Sequence, residues 1–411
     1  MDKKTVITRV NDGVAYCLFS NDTAVKCDIF YNDEGSVLNN IYVGYVCDIV
    51  KNINCAFVEY EQGKKAYLQL SPKLKPMFLN RKNTDKICCG DRIIIQISKE
   101  AVKTKNPVCT TEFELAGRYV VLYHGTFDVG FSKKIKDNDY KKKTDGLIRN
   151  MLADRLRADI GIGITVRTNA YSVPVNEVLT ELSCLLDKYD ALIKNAFTRP
   201  KNFLLYEADT GFMKLVRDMS YDKNDLVVTD DKTIYDMLYG TGLFKKDKTD
   251  LADNKDNKPC LKLYSDDLLP LYKLYRLERV FEDITGRKIW LNSGGYLIID
   301  YTEAMTVIDV NSGKCDKGRD KEKTFLSINL EAAKEIARLL SLRNISGIII
   351  IDFIDMEAPE SHERLLSAMT EYTGMDKIPT NVVDFTKLQL MEITRKKTRD
   401  RVKVRDNIFK N

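Results

Sequence analysis

The stretch that decides the fold is TVIDVNSGKCDKG at residues 306–318, in which an apolar run ends in Asp309. A second run, SGIIIIDFIDME at residues 346–357, leads four isoleucines into Asp352. Between them, NLEAAKEIARLLSLRN at residues 329–344 carries its apolar residues on one stripe, which predicts a helix. Strands joined through a helix are parallel, so we expect both aspartates at the same edge of one sheet.

Two neighbouring carboxylates repel each other unless they share a cation or a proton. Mg²⁺ prefers oxygen ligands and often takes one or two carboxylates with water and substrate phosphate. Such a metal can generate hydroxide and stabilise charge on a phosphodiester. Asn311, two residues beyond Asp309, would then orient the phosphate or the attacking water. The pattern Asp-x-Asn-Ser-Gly is also good turn chemistry, so spacing alone leaves a loop-capping role for Asp309 open.

Composition places the chain among ordinary globular proteins. It has 411 residues, of which 44% are apolar and 30% charged, and a net charge of +5. This length allows several domains, and any polyanion site must come from local clustering of charge. No apolar run reaches the length of a membrane span, and the N-terminal MDKKTVITRV has no apolar signal core.

The cysteines and histidines narrow the chemistry further. Ten cysteines are scattered without a C-x-x-C pair, which favours reduced thiols in a cytoplasmic protein. The two histidines, His124 and His362, are far apart and have no cysteine cluster near them. A histidine-based zinc site and a Ser-His-Asp triad are therefore disfavoured, and carboxylates with a hard cation are the natural chemistry.

Short, alternating segments between residues 40 and 117 predict a small antiparallel barrel. Aromatic and basic residues are interleaved there, among them Phe57, Tyr67 and Lys105. Barrels that bind oligonucleotides use this mixture, stacking bases on rings and holding phosphates with cations. An ordinary barrel with solvated lysines has the same composition, so both interpretations stay open at this point.

Other segments predict connecting structure. Residues 133–143, with six lysines, are typical of a solvated loop, and residues 245–258 are typical of an exposed one. Residues 146–161 and 175–197 have helical spacing of apolar side chains. Asn329 is predicted to be the N-cap of the helix that follows it.

Taken together, these motifs resemble the ribonuclease E/G family of endoribonucleases. The resemblance rests on long segments in a fixed order and covers nearly the whole chain. The segments are 41–60, 67–70, 90–111, 115–122, 130–135 (GFSKKI), 163–168 (GITVRT), 293–357 and 382–399.

The resemblance implies an α+β, multidomain fold. It implies a ribonuclease-H-like structural domain at residues 1–36 and 211–284, an OB-fold RNA-binding domain of the ribosomal-protein-S-one type at 37–117, a 5′-phosphate sensor at 118–210, and a DNase-I-like α/β catalytic domain with a basic C-terminal segment at 285–411.

The resemblance also implies roles for particular residues. Asp309 and Asp352 would bind Mg²⁺, with Mn²⁺ as an alternative, and Asn311 would complete the catalytic set. Arg167 and Thr168 would bind the RNA 5′ phosphate. Phe57, Tyr67 and Lys105 would contact RNA on the barrel.

The chain departs from the family pattern at several points. A Cys-Pro-x-Cys motif that binds a shared zinc is missing after the last cysteine, Cys315, so we expect no structural zinc and no oligomer linked through one. Lys133 and Lys134 stand in GFSKKI where the family motif is G-x-S-R-x-I, and lysine lacks the bidentate fork, so we expect a weaker sensor. Asn106 and Gln389 stand where glycine is usual.

The function predicted from these residues is Mg²⁺-dependent endoribonuclease activity. The substrate would be single-stranded RNA, often A/U-rich, cut during messenger decay and stable-RNA processing in the cytoplasm, with 5′-monophosphate ends favoured. The alternative is a non-catalytic RNA-binding protein on the same scaffold that acts in ribosome or RNA maturation. A DNA nuclease has only fold analogy behind it.

Overall fold

The computed structural model describes residues 3–32, 36–71, 76–80, 86–101, 105–125, 128–153, 161–209, 211–219, 221–246, 258–313, 321–376, 378–398, 400–405 and 408–409. The chain forms two compact units. The first comprises Met1–Glu34 and Tyr221–Asn411, and the second is Gly35–Ser220. The prediction of a mixed α and β fold is confirmed, and the division into four domains stays a prediction.

The first unit contains β1 (Lys3–Val10), β2 (Gly13–Ser20), β3 (Thr23–Tyr31), β14 (Leu226–Thr229), β15 (Lys245–Lys246), β16 (Cys260–Leu263), β17 (Lys288–Trp290), β18 (Tyr296–Tyr301), β19 (Met305–Asn311), β20 (Gly347–Asp352), β21 (Thr380–Phe385) and β22 (Met391–Arg395). Its helices are α4 (Lys232–Gly240), α5 (Leu271–Leu274), α6 (Leu277–Thr285), α7 (Lys321–Leu342) and α8 (Pro359–Gly374).

The second unit contains β4 (Ile41–Val50), β5 (Cys55–Glu61), β6 (Lys64–Gln69), β7 (Arg92–Lys99), β8 (Val108–Thr110), β9 (Glu114–Ala116), β10 (Val120–His124), β11 (Val129–Phe131), β12 (Ile162–Val166) and β13 (Leu204–Tyr206). Its helices are α1 (Asn138–Ala153), α2 (Val175–Thr198) and α3 (Gly211–Asp218), with short 3-10 helices at Lys51–Ile53 and Thr168–Ser172.

The first unit has two six-stranded sheets. One has the order β15-β16-β14-β1-β2-β3. In it, β1, which precedes the second unit in the chain, pairs with β14, which follows it. The other has the order β17-β18-β19-β20-β22-β21, in which β19 and β20 are parallel and their neighbours antiparallel. The predicted βαβ unit is thus present, with α7 as the connecting helix. Apolar side chains of β19 and β20, such as Ile308 and Ile351, share one core with Ile336 of α7 and Leu365 of α8.

The prediction that Asn329 begins its helix is wrong. α7 begins at Lys321, because Phe325 and Ile328 extend the same apolar stripe toward the N-terminus. Asn329 is fully buried inside the helix. Its side chain exchanges hydrogen bonds with the backbone of Ile354, donating at 2.8 Å and accepting at 3.1 Å, which satisfies the polar group that burial would otherwise penalise.

In the second unit, five strands close the predicted barrel in the order β4-β5-β6-β8-β7, and β7 pairs back onto β4. The barrel is filled by apolar side chains that include Val46, Val58 and Ile95. Strand β13 adds to the outer edge of β4. A separate four-stranded sheet, β11-β12-β10-β9, packs against α1 and α2 around Leu122 and Leu182.

The lysine-rich segment 133–143 is only partly a loop, because α1 begins at Asn138. Asp137 caps this helix by accepting hydrogen bonds from the backbone amides of Asp139 and Tyr140, both at 3.0 Å. The helix predicted over 175–197 is confirmed as α2, whereas residues 154–160 of the helix predicted over 146–161 lie outside the described residues. Of the segment 245–258, residues 247–257 also lie outside them.

Within the described ranges, none of the helices combines the length and apolar character that a membrane span requires. The nine cysteines of the described residues are all free thiols. Cys315 lies outside the described residues.

Candidate active site

The two aspartates predicted to share a sheet edge occupy directly opposed positions. Asp309 of β19 and Asp352 of β20 are register partners on neighbouring parallel strands. Side chains alternate along a strand, so Asp309 faces away from the core that takes Ile308 and Val310. The structure therefore brings both carboxylates together on the uncovered face of the sheet, at the carboxyl ends of the two strands.

Asn311 belongs to the same cluster. Its Nδ2 donates a hydrogen bond to Oδ2 of Asp309 at 2.6 Å. The turn before β18 packs tightly on this part of the chain, since a Cβ at Gly295 would lie 2.8 Å from the carbonyl oxygen of Asn311. Gly313 has a φ of +61° and a Cβ there would lie 2.2 Å from the carbonyl oxygen of Gly294. Glycine at these positions lets the two backbones approach and holds the asparagine in place.

The electrostatics of the pair suit a cation. Burial raises the pKa of Asp352, and the negative charges of Asp309 and Asp355 raise it further. Among the described residues, no group of three or more His, Cys, Asp or Glu side chains could enclose a metal. Two carboxylates and an amide are instead a partial set of hard oxygen donors, which fits Mg²⁺ because this ion keeps waters and substrate oxygens in its shell.

A second polar cluster lies at the same edge, where the turn between β21 and β22 approaches the end of β20. His362 of α8 pairs through Nε2 with Oε1 of Gln389 at 3.0 Å and through Nδ1 with the carbonyl oxygen of Ala358 at 3.2 Å. Gln389 has a φ of +62°, the conformation that glycine adopts most easily. A residue other than glycine at this position therefore has a conformational cost.

The predicted sensor residues lie together at the end of β12. Thr168 Oγ1 and Ser132 Oγ are 2.8 Å apart, so the GITVRT and GFSKKI motifs are in contact. Arg167 donates through Nη1 to Oδ1 of Asp218 at 2.8 Å and to the carbonyl oxygen of Gly117 at 2.6 Å. A phosphate bound by Arg167 would have to share it with Asp218.

Asp218, the partner of Arg167, is held in its charged form. Burial alone would raise the pKa of Asp218, but the guanidinium groups of Arg167 and Arg217 outweigh burial and lower it. Lys133 and Lys134 are exposed in the adjoining turn. The surroundings of Thr168 therefore combine two lysines and two arginines with the carboxylates of Asp218 and Asp209, both of which pair with Arg217.

The barrel residues also form a pair. Phe57 and Tyr67 are register partners on β5 and β6, and their ring centroids are 6.2 Å apart at 76°. Both are partly exposed on the face opposite the barrel core, whereas Ala56 and Leu68 point inward. Lys105 is exposed three residues before β8, the strand beside Tyr67. The geometry places two rings on the outer surface of one barrel strand pair, with Lys105 in the segment that leads into the neighbouring strand β8.

Comparison with known proteins identifies the family. The model of the ribonuclease E/G family matches residues 114–398. The chain belongs to the ribonuclease E/G family. Ribonuclease G of Escherichia coli K12 is 28% identical over 377 residues, which cover 89% of this chain and 74% of the relative. Ribonuclease E of Synechocystis is 31% identical over 365 residues, which cover 88% of this chain and 52% of the relative.

Three residues position the site of this ribonuclease E/G chain, and the sequence analysis assigned none of them a role in it. Asn329 holds the segment after Asp352 through Ile354. Glu322 accepts from the backbone amides at positions 357 and 358, at 3.1 and 3.2 Å. Glu331 accepts from those at positions 292 and 293, at 2.7 and 3.2 Å. The available signal was Asn329 itself, a polar residue on the apolar stripe of a helix.

Proposed function

We propose that the chain is a Mg²⁺-dependent endoribonuclease that hydrolyses phosphodiester bonds in single-stranded RNA. Its membership of the ribonuclease E/G family supports an endoribonuclease role. The observation that carries the proposal is the opposed pair Asp309 and Asp352, with Asn311 hydrogen-bonded to the first. A protein that only bound RNA would have no use for two repelling carboxylates on a surface that meets a polyanion.

Asp309 and Asp352 would hold the divalent cation, with Mn²⁺ as an alternative to Mg²⁺. When bound, the cation would lower the pKa of a water molecule and stabilise negative charge on the phosphate. Asn311 fixes the orientation of Asp309 through its amide and presents a polar group to the substrate phosphate. Asn329 and Glu322 keep the segment after Asp352 rigid, so that the second carboxylate is held before substrate arrives.

We propose that RNA binding uses the aromatic and cationic residues of the second unit. Phe57 and Tyr67 would stack on bases and Lys105 would contact a phosphate, which gives loose sequence preference. Thr168 and Arg167 would bind a 5′ monophosphate, with the neighbouring lysines adding charge without a bidentate fork. RNA processing and messenger decay in the cytoplasm are the proposed setting, and any oligomer would form without a zinc link.

The direct test is substitution of the carboxylates. Asp309→Asn and Asp352→Asn should each lower the rate of RNA cleavage by about 10²–10⁴-fold while RNA binding is kept or strengthened, because a charge is removed and the shape is preserved. Asp300→Asn is the matched control, since Asp300 lies on the neighbouring strand β18 and pairs with Arg287 at 2.6 and 2.8 Å. Cleavage by Asp309→Asn at the rate of the control would overturn the proposal.

The sensor is tested by comparing RNA with a 5′ monophosphate and the same RNA with a 5′ hydroxyl. Thr168→Val should reduce the preference for the monophosphate and leave cleavage of the hydroxyl form unchanged. Thr198→Val, at an exposed helix end where Thr198 bonds its own helix, is the control. Equal cleavage of both RNAs by the unmodified protein would remove the sensor and keep the enzyme.

A further inference from the structure

An exposed aromatic and cationic cluster lies beside the carboxylates. Trp290, the single tryptophan of the chain, ends β17 and is 64% exposed. Its ring and that of Tyr296 on β18 are 5.3 Å apart at 64°. Lys288 Nζ lies 4.0 Å from the centroid of Trp290 and 3.7 Å from that of Tyr296. The three side chains form one surface cluster, called here the Trp290 cluster.

The strand register places this cluster on the same face as the candidate active site. Trp290 is opposite Tyr296, and Tyr296 is opposite Asn311. In the neighbouring row, Lys288 is opposite residue 298, which is opposite Asp309. Cross-strand partners share a face, and strands lie about 4.8 Å apart, so Trp290 and Lys288 are roughly 10 Å from Asn311 and Asp309, and Tyr296 is about 5 Å from Asn311.

The chemistry of the cluster matches a nucleotide. A largely exposed indole offers a flat surface for stacking, and stacking of a base on an aromatic ring contributes about 1–3 kcal/mol. The ammonium group of Lys288 carries the charge that a phosphate needs near two carboxylates. A solvated cation–π pair without a ligand is the alternative interpretation. The shared row of Trp290, Tyr296 and Asn311 favours a surface that meets the substrate.

We propose that the Trp290 cluster is a nucleobase subsite of the active site. The base of a nucleotide adjacent to the bond that is cut stacks on Trp290, and Lys288 contacts the phosphate of the same nucleotide. This inference rests on the proposed function, which it deepens by adding a substrate-binding site on the catalytic sheet itself. The subsite acts on binding of the strand and leaves the chemical step to the carboxylates.

The single tryptophan makes binding directly measurable. A short oligouridylate added in EDTA, so that no cutting occurs, should quench the fluorescence of Trp290 in a saturable manner. Trp290→Ala should raise the KM for cleavage by about 5–150-fold, which is the equivalent of the stacking energy, and should change kcat little. Trp290→Phe should keep most of the affinity. Lys288→Gln should lower the slope of log K against log salt by about 0.7.

A substrate with an abasic nucleotide beside the cut bond is the matched control, because it should remove the difference between Trp290→Ala and the unmodified protein. Absent quenching, with equal cleavage by Trp290→Ala and the unmodified protein, would overturn the subsite and leave the endoribonuclease proposal intact. A sedimentation change in Trp290→Ala without an effect on RNA would also overturn it, in favour of a surface for a second copy. Quenching by RNA that no form of the protein cuts in Mg²⁺ would overturn the proposed function, and the subsite with it.

Discussion

At the scale of single residues, the site depends on side chains that never need to touch RNA. Asn329 shows this best, because one buried amide satisfies both backbone groups of Ile354, two residues beyond Asp352. An aspartate at a strand end has rotational freedom unless the next few residues are fixed. Because of these paired hydrogen bonds, helix α7 fixes the position of the Asp352 carboxylate.

Asn329→Ala should lower the free energy of unfolding by about 2–4 kcal/mol, since two buried backbone groups lose their partners. It should also lower kcat more than it raises KM, because the carboxylate is no longer held in place. Urea unfolding and steady-state cleavage measure the two effects. Lys334→Ala, at an exposed position of the same helix, should change neither. A loss of stability with unaltered kcat would show that Asn329 is structural only.

His124 makes a different residue-scale contribution, to the pH dependence of stability. Burial lowers the pKa of His124 to about 4. Its ring stacks on that of Phe113 with centroids 4.5 Å apart, and its Nδ1 lies 2.7 Å from the hydroxyl of Tyr189. The folded state holds it neutral while the unfolded state protonates it near pH 6.5. Its contribution is thus complete above pH 6.5 and is lost as the pH falls toward 4.

The expected loss across that window is about 3 kcal/mol. Urea titrations at pH 7 and pH 4.5 should show a steeper fall in unfolding free energy for the unmodified protein than for His124→Phe, which cannot be protonated. His362→Phe, on helix α8 of the first unit, is the control for the loss of a histidine. Equal pH dependence in the unmodified protein and His124→Phe would contradict the assignment.

At the scale of elements, the turn that precedes β18 has to fit against the end of β19. Gly295→Ala would place a Cβ 2.8 Å from the carbonyl oxygen of Asn311, closer than such atoms approach. We expect a fall of about 1–3 kcal/mol in unfolding free energy and a marked fall in kcat, because Asn311 must move. Gly146→Ala is the opposite case, since it lies inside α1 with nothing within 4 Å, and should stabilise by about 0.5–1 kcal/mol. Full activity of Gly295→Ala would contradict this account of the turn.

The elements also show what the sequence could and could not predict. The βαβ unit and its paired aspartates follow from two apolar runs and one amphipathic stripe, since parallel strands must end at one edge. The start of α7 could not be placed, because a buried polar residue and a helix cap have the same appearance in sequence. Lysine composition likewise concealed the start of α1, which a capping aspartate at position 137 determines.

At the scale of the whole molecule, the first unit is assembled from two distant parts of the chain. In the first unit, the basic segment after β22 returns to the N-terminal sheet, where the amide of Asn11 donates to the carbonyl oxygen of Ile408 at 3.0 Å. Phe409 stacks on Tyr272 with centroids 4.3 Å apart. Composition alone is typical of a solvated tail, so only the fold shows that these residues pack. The family was accessible from sequence because long motifs in a fixed order carried it.

The measurement that tests the central claim most directly is cleavage of one short A/U-rich RNA by the full chain, in Mg²⁺ and in EDTA. We expect cutting in Mg²⁺, none in EDTA, recovery when Mg²⁺ is restored, and no recovery for Asp352→Asn. RNA that is bound but uncut under every condition would contradict a catalytic role for Asp309 and Asp352. Cutting that continues in EDTA would contradict their role as ligands of a divalent cation.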